Sequence, residues 1–134
     1  MTTDLLASAA RFGGYAAAEA RLFEVLGSWA LQPSGPGQQR HFAEAGAIHA
    51  ERAAAWRERV PVVPGVDVDG LCQEPPPELH ALLGALAGVA PDERRAAAGE
   101  LVAALTDLYR RHRAEIDARL DGPTARLLDS MITG

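Results

Sequence analysis

Of the residues able to move a proton or hold a cation, Glu19 stands out. It is the ionisable side chain on an otherwise apolar helical stripe of Phe12, Tyr15, Ala16, Leu22, Phe23, Leu26 and Ala30. The chain also holds four His, 18 acidic residues in all and one cysteine, Cys72. One cysteine excludes a disulfide framework and a thiolate zinc site, which leaves carboxylate and imidazole as metal-binding material. His41 with Glu44, and His112 with Glu115, have three-residue spacing and so share a helix face within each pair. His49 and Arg52 lie three residues apart on the second helical segment. A carboxylate facing an imidazole can work as an acid/base pair or, with further donors, hold iron or manganese. Other candidates read more simply: His41 and Glu44 as a solvated pair near a helix start, His80 as a residue without an evident partner, and Cys72 as a lone thiol. Arg110, Arg111 and Arg113 read as a solvated face. There is no phosphate loop, no Gly-x-Ser-x-Gly elbow and no dinucleotide fingerprint.

These side chains must be positioned by helices. The first periodic segment runs from about Asp4 to Leu31, with Thr3 or Asp4 as N-cap and the Pro33-Ser34-Gly35-Pro36-Gly37 breaker after it. Gly13-Gly14 inside it marks a bend or a close approach to a neighbour. A second helix is predicted from about Gln38 to Val60, with His41, Ala45, Ile48, Arg52, Trp56 and Arg59 on its inward stripe and Glu44 and His49 on the flanks. Residues 61–77 contain five of the nine prolines and read as a long ordered connection. A short helix from Glu78 to about Val89 follows, and Asp92 should cap a third long helix from Glu93 to Leu120. That helix puts Leu101, Leu105, Leu108, Tyr109, His112 and Ile116 on one stripe, with Glu115 at its edge. Asp121-Gly122 ends it, and Pro123 suits the first turn of a short last helix. No strand pattern of convincing length survives.

Composition narrows the class. At 134 residues with 48% hydrophobic content, the chain suits one domain spanning 1–134, with a core of Ala, Leu and Val because aromatics make up only 5%. All 13 basic residues are Arg, in keeping with a GC-rich bacterial genome, and the net charge of -5 argues against nucleic acid as a partner. No apolar run reaches the roughly 18 residues a membrane span needs, and no signal peptide is read at the start, so a soluble, cytoplasmic protein is expected.

Three stretches, FGGYAAAEARLFEVLGSWA at 12–30, HAERAAAWRERVPVVPGVD at 49–67 and LYRRHRAEIDARLDGPTARLL at 108–128, together resemble the ferritin-like superfamily, and more narrowly actinobacterial ferritin-like domain proteins. The resemblance implies an all-α, ferritin-like four-helix bundle with a long proline-rich crossover and a shortened last helix. Metal-bearing members use a Glu from each of two helices and a Glu-x-x-His from each of the other two. Glu19 matches the first of those carboxylates, and Glu44, His49, His112 and Glu115 complete the implied ligand set, but no Glu-x-x-His occurs. If the first two helices are antiparallel, Glu19 is level with His49 to Arg52, and Glu44 stands about 10 Å away along the axis. Arg52 then competes with a metal for Glu19, or pairs with it. The polar centre is thus Glu19, His49, Arg52, His112 and Glu115. The leading expectation is a binding or accessory module that has lost the di-iron site and holds no cofactor. The alternatives are an iron- or manganese-dependent oxidoreductase, and a metal-free protein of secondary metabolism that binds or isomerises a small molecule with Glu19 and His49. Self-association as a homodimer is expected from the short last helix and exposed apolar surface.

Overall fold

The computed structural model describes residues 2–33 and 36–134, with side chains from residue 5 onward. The backbone is already helical at Thr3 and Asp4, ahead of the N-cap expected there, while their side chains and the Ser34-Gly35 part of the breaker lie outside what is described. Among the described residues the chain is all helical: α1 Thr2–Ala30, α2 Pro36–Arg59, α3 Val68–Leu71, α4 His80–Leu86, α5 Arg94–Glu115 and α6 Gly122–Thr133. Single 3-10 turns at Pro77–Leu79 and Pro91–Glu93 lead into α4 and α5. No described helix is long and apolar enough to cross a membrane.

α1 is covered on more than one side. Phe12 through Glu19 are all buried, not merely every third or fourth residue. This is why the segment is small and apolar nearly all round: a helix enclosed by neighbours cannot keep a polar face. α2 packs most extensively against it. Leu71 of α3 presses on its other side: a Cβ at Gly13 would stand 2.7 Å from the Leu71 carbonyl carbon and 2.9 Å from its Cβ. The close approach expected at Gly13-Gly14 is thus realised at Gly13.

α2 is rotated relative to its expected stripe. Phe42, Gly46, His49 and Trp56 are buried, whereas His41 and Ile48 are exposed. Gly46 faces α1, where an added Cβ would make ordinary contact with Leu26 Cβ at 3.6 Å. Phe42, four residues before it, and His49, three after it, share that inward face. Phe23, expected inward on α1, is 46% exposed.

α5 keeps its predicted face of Leu101, Leu105, Leu108, Tyr109 and His112, but it stops at Glu115 and not at Leu120. Ile116 is extended, Asp117 accepts a hydrogen bond from the Arg119 backbone N–H at 2.9 Å, and Asp121 caps α6 by accepting from Thr124 N–H at 3.3 Å. Two aspartates four residues apart give the backbone a local alternative to the helix, and it is taken. Asp92 sits inside the 3-10 turn and not at the cap of α5, whose N-cap position is Glu93 with no side-chain cap. α6 has 12 residues against 29 in α1 and 24 in α2. Its buried Thr124, Ala125, Leu128 and Met131 follow helical spacing, and Arg59 of α2 holds its start through Thr124 Oγ1 at 2.7 Å.

Candidate functional site

α1 carries Arg11, Tyr15 and Glu19 at four-residue intervals, and α5 carries Tyr109, His112 and Glu115 at three-residue intervals. Both spacings return to one helix face. The two helices meet so that the series interlock in reverse order as three polar rungs. At the outer rung Arg11 donates to Glu115 at 2.7 Å. In the middle rung the Tyr15 hydroxyl lies 2.9 Å from His112 Nδ1 and accepts from Arg11 Nε at 3.1 Å. The inner rung has the Tyr109 hydroxyl donating to Glu19 Oε2 at 3.0 Å.

The inner rung extends into α2. His49 Nδ1 donates to Glu19 Oε1 at 2.6 Å, and Trp56 Nε1 donates to the Tyr109 hydroxyl at 3.1 Å. Glu19 is wholly buried and both its oxygens are engaged, which is what a carboxylate in an apolar core requires. Around the rungs Phe12, Tyr15, Trp56 and Tyr109 form an aromatic packet, with Tyr15 edge-on to Tyr109 at 4.9 Å and tilted against Trp56 at 4.8 Å.

Burial and neighbouring charge fix the protonation states. Burial, reinforced by the Glu19 carboxylate, drives the Tyr109 hydroxyl well above its ordinary range, so it remains a donor. Burial, aided by the Arg11 cation, lowers His112 to about 4. His112 is therefore neutral near pH 7, and its Nδ1 accepts the Tyr15 proton. Burial also raises Tyr15, while its hydrogen bond from Arg11 works the other way. The hydrogen bond from Arg11 holds exposed Glu115 below the usual carboxylate range.

Of the residues named from sequence, the fold brings Glu19 and His49 into direct contact. His112 stands one rung away on Tyr15, and Tyr109 takes the position beside Glu19. Glu115 is at the surface on Arg11, and Glu44 and His41 are exposed on α2. Arg52 is half-buried, and its cation acts through space on Tyr109, with Glu19 satisfied by other partners. His80 does have a partner, since its Nε2 donates to the Pro75 carbonyl at 2.8 Å. Cys72 is half-buried near Arg57, its thiol raised by burial and pulled the other way by that cation. Trp29 packs on Phe42, with Arg94 over its ring.

An iron or manganese pair needs several carboxylate and imidazole donors converging on one point. Among the described residues no three His, Cys, Asp or Glu side chains do so. Each Glu19 oxygen instead takes an N–H or O–H donor, so these residues do not fit the pair implied by a ferritin-like fold.

A second feature lies on the other side of Tyr15. A cavity of about 700 Å³ opens between α1, the proline-rich connection and α5, with Ala10, Arg11, Gly14 and Tyr15 on one wall, Leu71 and Pro75 to Glu78 opposite, and His80 and Leu108 completing it. Neither Glu19 nor His49 lines it. The three consecutive prolines and the four-residue ladder from Arg11 through Tyr15 to Glu19 were the available signals for this wall. Comparison with family models, curated proteins and solved structures finds no match to this chain.

Proposed function

We propose that this protein is a ferritin-like helical module that no longer gathers a di-metal ligand set and binds a small molecule in the cavity beside Tyr15. The cavity carries this reading: its size is in the range of small-molecule sites, and its walls are mostly apolar with a few polar groups. The ferritin-like part is supported by the long α1–α2 pair, the extended connection and the return through α5 and α6. The exclusion of Glu19 and His49 from the cavity wall favours binding over acid/base chemistry by that pair. Their network instead supports the wall from behind, since Tyr15 contacts the cavity, Trp56 and Tyr109.

Thermal denaturation across a metabolite panel is the direct test. Hits should stabilise the native protein and lose that effect in Ala10→Trp, which fills the cavity from an exposed position. Equal stabilisation of both proteins by every hit would remove the cavity from consideration. Elemental analysis giving about two iron or manganese ions per chain would overturn the loss of the metal set.

Self-association belongs to the same proposal. Leu5 and Val62 are exposed and line one shallow depression where α1 begins and α2 ends, and exposed Leu6 lines a separate depression with Val66. Sedimentation velocity at micromolar concentration should give a dimer that Val62→Glu dissociates.

A further inference from the structure

From the charges around the cavity we infer that its ligand is a small apolar molecule carrying a protonated amine; this rests on the cavity reading above and specifies its ligand class. Three carboxylate and guanidinium groups stand on the wall: Glu74, Glu78 and Arg11. Arg11 is already committed, with Glu115 at 2.7 Å and the Tyr15 hydroxyl at 3.1 Å. The carboxylates are not matched in the same way. The Glu74 side chain is 82% exposed and has His80 Nε2 at 3.9 Å, while that nitrogen already donates to the Pro75 carbonyl at 2.8 Å. Glu78 is exposed at the start of the 3-10 turn, and its charge is felt at Tyr15 across the cavity.

The wall therefore presents two carboxylates to a ligand and no uncommitted guanidinium, in a chain whose net charge is -5. An ammonium group gains from both carboxylates, while a carboxylate ligand meets like charge at the mouth. The floor calls for a hydrocarbon or aryl body, since Leu71, Leu108, the prolines and the Tyr15 ring offer mainly apolar surface. A bare inorganic cation is a poorer occupant, because that apolar floor supplies few oxygen ligands.

Three probes that share a phenyl body test this by calorimetry or ligand-observed NMR near neutral pH: phenethylamine, phenethyl alcohol and phenylacetate. Phenethylamine should bind about threefold to fivefold more tightly than the alcohol, with phenylacetate weakest, and high salt should erase the difference. In the Glu74→Gln/Glu78→Gln double variant the amine should fall to the level of the alcohol, whose own affinity is unchanged. Both positions are exposed, and coincident thermal melts confirm that the variant folds. Ala10→Trp should remove all three. If the alcohol or phenylacetate binds wild type as tightly as the amine, or if the double variant keeps the amine preference, the charge assignment is overturned while the cavity reading stands. If none of the three binds, or binding ignores Ala10→Trp, the cavity reading falls and the inference falls with it.

Discussion

The two ends of the α1–α5 ladder use similar chemistry to opposite effect. At the outer end Arg11 and Glu115 form a close ion pair with side chains 39% and 61% exposed, so water screens their attraction. At the inner end Glu19 is wholly buried, and Tyr109 and His49 must replace all the hydration it gave up. A short distance between charged partners is thus no measure of what a contact contributes. What matters is how much water would return if the contact were lost.

The largest break in that comparison comes from Glu19→Ala. It strips the acceptor from both His49 and Tyr109 and leaves a void, and should cost about 3–5 kcal/mol in urea denaturation. Glu19→Gln keeps the shape and one acceptor and should cost less. A loss under about 1 kcal/mol for the alanine variant would mean that the inner rung does not hold the core.

Tyr15→Phe comes next. The ring packing remains, but Arg11 and His112 each lose a partner, for about 1–2 kcal/mol by the same denaturation assay. A pH series sharpens the middle rung further. His112 titrates near 6.5 when unfolded and about 4 when folded, so the unfolded chain binds the extra proton between those values. Its contribution is complete above about pH 6.5 and is lost as pH falls toward about 4. In thermal melts His112→Gln should show a shallower decline over this window than wild type; identical pH profiles would contradict the neutral assignment. The smallest effect is expected at the outer rung, where Glu115→Ala should leave the melting midpoint within the scatter of repeat measurements.

Much of this arrangement is legible in the residue pattern, and its failures have physical causes. The helices and the face of α5 follow from apolar periodicity and from Pro and Gly breaks, because those signals are local. The level of His49 opposite Glu19 follows from antiparallel geometry alone. The rotation of α2 does not, since which of its faces meets α1 is a tertiary matter that a stripe of His41, Ile48 and Arg52 cannot reveal. Tyr109 beside Glu19 was hidden because a tyrosine on a helical stripe reads as packing until a buried acceptor is known to face its hydroxyl. The early end of α5 turned on Asp117 and Asp121 capturing backbone groups, a competition that helix periodicity ignores. The cavity was the least legible feature: it is bounded by segments some 60 residues apart in the chain, and apolar periodicity does not describe the space between them.

Gly13 has a consequence beyond helix packing. Leu71, which bears directly on it, is also part of the cavity wall. The distance between the rod of α1 and the strap laid across it is therefore set by a methyl group that is missing. A mutation to alanine at this position would act as a shim against Leu71, lifting the strap and resizing the chamber without changing the identity of any residue that lines it.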